Sequence, residues 1–342
     1  MGGADIDAVR AWQLTTGSTN VIVAVIDPGI RHTHRDLAAQ MWRNPGEIPG
    51  NGVDDDQDGY VDNVFGINAI NGSGDPWDDN DHGTHCAGTI GAAANDGNPH
   101  VGVAWQVRLM ACKFLSASGS GQTSDAIRCI HFAVSKGARI LNNSWGGGGF
   151  SQGLFDAIAA AQDQGVLFVA AAGNESSNTG TSANYPSNYD LENVLSVAAL
   201  DRQDKLASFS NFGAETVDLG APGVAVYSSA AGSDRDYKTF NGTSMATPHV
   251  AGVAALLVAR FPDITVAGLR QRLLGTTVPV TDLRGRSVTG DRVNAFQALS
   301  ATPDGLLELG VGIQGGEAVG GRAATLLVRV TDLFNVTNAT VT

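Results

Sequence analysis

An α/β fold built on a mostly parallel sheet is predicted by three observations. Short runs apolar on both faces recur along the chain, segments with helical periodicity separate them, and glycine is abundant at the joints, with 44 copies in 342 residues. Apolar strands occupy residues 21–26, 108–114, 140–143, 167–172 and 194–200, and helical periodicity marks residues 124–136, 153–164 and 244–261. A strand polar on neither face must be covered on both. That makes three layers, helices over sheet over helices, with any active site beyond the carboxyl ends of the strands.

In chain order, the first strand ends in Asp27-Pro28-Gly29, which puts a carboxylate at the strand's exit. An ordinary turn initiator would read the same way. Residues 51–62 then concentrate acid: Asp54, Asp56, Asp58 and Asp62 fall at positions 1, 3, 5 and 9 of a calcium loop of the EF-hand kind, with Gly59 at position 6 and Tyr60 at 7. Phe65 stands where that loop would carry its bidentate Glu, so the last ligand must come from elsewhere. So many carboxylates repel one another unless a cation sits among them, and Ca²⁺ is the expected ion. The next segment, Asn80-Asp81-His82-Gly83-Thr84-His85-Cys86, holds two histidines three apart; no third ligand at zinc spacing accompanies them.

Further along, Ser118-Gly119-Ser120-Gly121 and Ser144-Trp145-Gly146-Gly147 follow strands and leave backbone free for close approach. The strand ending Ala170-Ala171-Ala172-Gly173-Asn174 presents a side-chain amide. Finally Asn241-Gly242-Thr243-Ser244-Met245-Ala246-Thr247-Pro248-His249 places a serine where a glycine turn becomes a helix, either as a cap or as a nucleophile beside a positive helix end. A serine nucleophile needs a base within hydrogen-bond reach and a third group to orient that base.

Asp27, His82 and Ser244, in that order and with those flanking residues, resemble the motifs of the subtilisin-like serine proteases, the subtilases, and most closely the thermitase-like branch. Asp-His-Ser order is neither that of α/β-hydrolases nor that of trypsin-like enzymes. The resemblance runs from about Ile6 to Leu299. It implies a subtilisin-like three-layer fold and a serine endopeptidase in which Ser244 attacks the peptide carbonyl, His82 carries the proton, Asp27 orients His82 and Asn174 donates to the oxyanion. It also implies peptide held as an added strand between residues 118–121 and 144–147, with the latter lining the primary pocket together with Ala172 and Gly173. Gly146, Gly147 and Ala172 would leave a roomy uncharged slot, with Asn184 near its floor and Thr123 where relatives carry a wall residue. The expected specificity is a broad preference for apolar or aromatic residues before the scissile bond. Calcium at the acidic loop, an inhibitory propeptide and secretion follow from the same resemblance, as does a second calcium site near Asp36 and Asn95, which stays open.

Two residues depart from the pattern. Pro28 stands where most subtilases have Ser or Thr, so Asp27 loses a hydroxyl donor, and Asp81 replaces the usual Gly and adds negative charge beside His82, favouring its protonated form. A non-catalytic binding protein would draw its support from these two changes. A ligase or macrocyclase using the same acyl-enzyme is the other alternative.

The net charge of -13 argues against nucleic acid or anionic lipid as partners, and no run reaches the length of a membrane span. The opening Met1-Gly2-Gly3 lacks a signal-peptide pattern. Cys112 and Cys129 lie on a strand and the following helix, where they either bridge or fill adjacent core space as thiols, and Cys86 is a packing residue. A breaker cluster at residues 301–305 divides a catalytic domain, 1–302, from a β-rich tail, 303–342. Strands are expected there at 325–330 and 336–341, as a hairpin or as the start of a truncated β-sandwich domain.

Overall fold

A computed structural model describes residues 4–301 and the backbone of 308–313 and 326–331. The elements run α1 (Ala8–Ala11), β1 (Gly17–Asp27), β2 (Gly66–Asn68), α2 (His82–Gly91), β3 (Gln106–Lys113), α3 (Thr123–Ser135), β4 (Ile140–Asn143), α4 (Gln152–Asp163), β5 (Leu167–Ala171) and β6 (Val194–Leu200). They continue with β7 (Leu219–Pro222), β8 (Val226–Ala230), β9 (Asp236–Phe240), α5 (Thr243–Arg260), α6 (Val266–Gly275), β10 (Val278–Pro279), β11 (Asp291–Arg292) and α7 (Ala295–Ser300). The tail contributes β12 (Glu308–Ile313) and β13 (Leu326–Thr331), paired antiparallel with Glu308 opposite Thr331.

Nine strands form one sheet in the order β10-β11-β7-β6-β5-β4-β1-β3-β2, parallel except for β10 against β11. The two faces of β1 feed two cores, as a period of two requires: Val21, Val23 and Val25 pack beneath α2 and α5, whereas Ala24 and Ile26 pack beneath α3 and α4. This is the three-layer α/β fold that the sequence implies. β1 lies between β3 and β4, so chain order reverses at its carboxyl end, where Asp27 sits. Such a reversal opens a crevice above the sheet.

The predicted strands and helices each appear within two residues of their expected ends, except that β1 begins at Gly17, four residues before the apolar run. Residues 118–121 differ in kind: they form a turn, closed by Ser116 N–H to Ser120 O (2.9 Å), with one isolated bridge between Leu115 and Gly121. Four consecutive serine and glycine residues favour that turn over an extended strand. Cys86, Cys112 and Cys129 are buried thiols, and Cys112 adjoins Cys129, so the free-thiol packing is the one adopted. The strand at 325–330 falls on β13, β12 was not anticipated, and 336–341 lies outside the described residues. Among the described residues no helix is long and apolar enough to cross a membrane.

Candidate active site

Asp27, fully buried at the exit of β1, receives His82 at the first position of α2, with Asp27 Oδ1 to His82 Nδ1 at 2.6 Å. Gly83 permits this approach: a Cβ there would stand 2.1 Å from Gly29 O, so only glycine lets α2 begin against the turn after β1. Asp27 Oδ2 is buried with no partner, as the loss of a hydroxyl at Pro28 predicts. Burial raises the Asp27 carboxyl, and His82 is the main influence opposing it. Burial alone would lower His82, but the charge and hydrogen bond of Asp27, aided by Cys86, hold its imidazole well above 6.5.

Asp81 does not act on His82 as the sequence suggests. Its Oδ2 is paired with Lys238 Nζ at 2.5 Å and its Oδ1 accepts from Ala231 N–H at 2.7 Å, so its charge is already spent. The main influences that raise His82 against its burial come from Asp27 and Cys86.

Ser244 lies in the first turn of α5, and its Oγ donates to Ser144 O at 2.9 Å. Pro248, four residues on, lacks the N–H that would bond Ser244 O within the helix. Ser144 Oγ takes that carbonyl instead at 2.9 Å, itself receiving Asn142 Nδ2 at 3.0 Å, and Cys86 Sγ adds a contact at 3.5 Å. Segment 142–144 is thereby tied to the serine on both sides of its peptide.

Asn174 is oriented by Thr243, whose N–H (2.9 Å) and Oγ1 (3.0 Å) both meet Asn174 Oδ1. A backbone N–H can only donate, which assigns the oxygen end and leaves Nδ2 as the outward donor. The Ser244 N–H is among the orphan donors that every helix start leaves free.

The turn at 118–121 and the segment after β4 face each other across a cavity of about 310 Å³, lined by Gly119, Gly121, Trp145, Gly146, Leu154 and Tyr185 among others. Ser118 stands at the rim of that turn, with its hydroxyl 2.9 Å from that of Ser116, and Ser120 lines the cavity. Thr123 and Gly147 line it too. Asn184 Nδ2 donates to Ala172 O at 3.0 Å and a Cβ on Gly146 would meet Asn184 Nδ2 at 2.8 Å, which places Asn184 against the slot. The residues lining the cavity carry no charge. A carboxylate does stand beside Gly173: a Cβ there would lie 2.6 Å from Glu175 Oε2, which is held by Asn211 Nδ2 at 2.6 Å.

The acidic loop divides. Glu47, Asp54 and Asp56 bring carboxylate oxygens within 4.8 Å of one another, and Glu47 Oε2 and Asp56 Oδ1 are buried without a partner. Asp58 is drawn away by Lys136 Nζ (2.8 Å) and Asn63 Nδ2 (2.7 Å). Asp62 caps the backbone N–H groups of Gly50, Asn51 and Gly52, and the Tyr60 ring packs edge-on against Phe132. Asp58 and Asp62 therefore stand outside the cluster that sequence spacing assigned to them. Glu47 joins it from seven residues upstream, beyond any loop template, and Lys136 neutralises part of it from the end of α3, at 2.6 Å from Asp56. Thr243, Glu47 and Glu175 were missed by sequence reasoning. Thr243 alone had a signal, as the residue before the serine at a helix start.

A sequence model of the subtilase family matches residues 18–301. A thermophilic serine proteinase of Bacillus sp. strain AK1 is 40% identical over 250 residues, 73% of this chain and 55% of that protein, so the chain spans about half the length of that relative. Thermitase of Thermoactinomyces vulgaris is 35% identical over 298 residues, covering 87% of this chain and 95% of thermitase. A solved protease from Pseudoalteromonas arctica PAMC 21717 superposes with a TM-score of 0.71 at 30% identity, covering 86% of this chain and 93% of that one. With the fold, the family match and these relatives in agreement, the chain belongs to the subtilase family.

Proposed function

We propose that the protein is a serine endopeptidase that hydrolyses peptide bonds through Asp27, His82 and Ser244. The observation that carries this reading is the 2.6 Å contact from buried Asp27 to His82 Nδ1 at the strand reversal, above which Ser244 opens α5. Asp27 holds the proton of His82 on Nδ1 and leaves Nε2 as the base. For attack, the Ser244 hydroxyl leaves Ser144 O and gives its proton to Nε2 as Oγ bonds to the substrate carbonyl carbon. The carbonyl oxygen becomes negative and is met by Asn174 Nδ2 and the Ser244 N–H. His82 then returns the proton to the departing amine. Water repeats the sequence in reverse to release the acid.

Protein or peptide substrate lies between the 118–121 turn and the Ser144–Gly147 segment, with its side chain before the scissile bond near Gly146, Ala172 and Gly173. Broad preference for apolar or aromatic side chains there is the reading, supported by a cavity lined by uncharged residues. Glu47, Asp54 and Asp56 suit calcium: the donors are hard oxygens, and two of them are buried without partners. When bound, the ion supplies structural charge balance and no catalytic step. Residues 1–302 form the peptidase domain and 303–342 an appended β-rich tail. An inhibitory propeptide and an extracellular setting complete the proposal.

The test is product analysis by mass spectrometry on a linear peptide, for the wild type and for Ser244→Ala, with fluorophosphonate labelling alongside. Cleavage and labelling that both vanish in the variant are expected. Cyclised or unreacted peptide with the wild type overturns the assignment.

A further inference from the structure

Asp81 occupies a strained position and spends its side chain in an unusual direction. Its φ is 88°, in the left-handed region that favours glycine. An Asp before a helix would ordinarily cap it, yet here no side-chain cap forms. The carboxylate reaches outward to Ala231 N–H (2.7 Å) and Lys238 Nζ (2.5 Å), both on the β8–β9 hairpin. Strain held at one residue persists only where its surroundings impose it.

That hairpin touches every segment of the proposed triad. Both polar groups of Ala231 are claimed: its N–H by Asp81, next to His82, and its C=O by Arg31 NH1 (2.7 Å), four residues after Asp27. Arg31 Nε and Thr33 Oγ1 hold Asp234 Oδ1 in the same turn, at 2.7 and 2.5 Å. On the far side of α2's first turn, Val226 O meets His85 Nε2 at 3.0 Å and Ser228 Oγ donates to His85 O at 2.8 Å. β9 then ends at Phe240 and leads directly through Asn241 and Gly242 into α5 and Ser244.

The geometry points to Asp81 and Lys238 as positioning residues: their ion pair fastens the start of α2 to the hairpin that delivers Ser244, and so sets the place of His82 relative to the serine. This rests on the protease reading above. Surface ion pairs contribute little to stability, and Lys238 is 41% exposed, so loss of the clip should be felt in geometry before it is felt in folding. A catalytic group displaced by a fraction of an ångström costs turnover and leaves ground-state binding largely intact.

The test uses the full chain, with rates expressed per active serine titrated by fluorophosphonate. Asp81→Gly relieves the backbone strain and removes both bonds, Lys238→Met removes the charge alone, and Lys238→Arg restores it. Expected are a kcat lowered about tenfold in Asp81→Gly and about threefold in Lys238→Met with KM within about twofold, near-wild-type turnover in Lys238→Arg, and a double variant Asp81→Gly/Lys238→Met no slower than Asp81→Gly. Unchanged kcat per titrated serine in both single variants overturns the proposal, because any loss would then reflect only the folded fraction. Additive losses in the double variant also overturn it. A wild type that cleaves nothing overturns this inference together with the protease assignment, whereas an active wild type matched by its variants overturns this inference alone.

Discussion

Removing calcium should destabilise the fold through Glu47, Asp54 and Asp56, and the size of the effect follows from their spacing. Three carboxylates with oxygens within 4.8 Å of one another repel by about 1 to 3.5 kcal/mol per pair, taking an effective dielectric constant between water and a protein surface. Lys136 offsets part of this at Asp56, and the two unpartnered oxygens, Glu47 Oε2 and Asp56 Oδ1, remain for a cation. An ion bound only by the folded state at about one hundred times its dissociation constant contributes about 2.7 kcal/mol. With an unfolding entropy of about 2.1 cal/mol/K per residue over roughly 300 residues, that corresponds to a melting shift of about 4 °C. The assay is calorimetry with calcium and with chelator, on the wild type and on Asp54→Asn/Asp56→Asn. Chelation should lower the wild-type melting temperature and leave the double variant nearly unmoved, with active-site titre at low temperature preserved in both. Lys136→Met should enlarge the calcium dependence, because it removes the built-in cation. A melting shift that survives intact in the double variant refutes the reasoning and moves the site elsewhere, as does a wild type indifferent to calcium.

Asn174→Leu should lower turnover by about 100- to 1,000-fold with KM little changed, a figure taken from subtilisin and not from this geometry; steady-state kinetics with active-site titration checks it. Thr243→Val should cost a smaller part of the same effect, because the N–H still orients Asn174 Oδ1 when the hydroxyl is gone. The acid limb of kcat/KM should lie above pH 6.5, since neutral His82 is the base and Asp27 holds its imidazole well above that value; a limb below 6 in a pH–rate profile contradicts this. Stability should fall as pH drops below 6.5, because burial holds His85 and His249 near pKa 4 and the unfolded chain then binds more protons than the folded one. Each contributes on the order of 3 kcal/mol, lost progressively between pH 6.5 and 4, whereas His82, whose pKa is raised, contributes stability below 6.5 that is lost as pH climbs through its folded value. Melting curves from pH 7.5 to 4.5 check the sign, and His249→Gln should flatten the slope.

The five central strands, β6, β5, β4, β1 and β3, were legible because their runs are apolar on both faces, and β4 and β6 appear at their expected residues, whereas the short strands β2, β7, β10 and β11 carry too little apolar sequence to be read. The proposed catalytic residues were legible for a different reason: Asp27, His82, Asn174 and Ser244 each lie at or just beyond a strand end or in the first turn of a helix, where α/β folds gather their chemistry. What sequence spacing could not show was competition for the same charge. Asp58 and Asp62 keep the loop periodicity of a calcium ligand, but Lys136, from the end of α3, and three backbone N–H groups at the loop's own start claim them first. Glu47 was hidden similarly, since it lies outside the loop spacing and only the folded backbone brings it to Asp54 and Asp56. Loop residues 118–121 failed for a local reason, turn propensity outweighing the extended form that a substrate edge suggests.

The two departures from the family pattern have opposite outcomes. The added charge of Asp81 is balanced by Lys238 Nζ and the Ala231 N–H, and Asp81 is not among the main influences on the imidazole. The hydroxyl missing at Pro28 is not replaced, and Asp27 Oδ2 stays buried without a donor. Cys86 comes closest to compensating, since its thiol adds to His82 in holding the Asp27 carboxyl down. His82 is then the main support of an ionised carboxylate in an apolar strand end. The tighter that dependence, the more firmly Asp27 holds the imidazole in one tautomer, and the more the base strength of His82 rests on a single 2.6 Å contact.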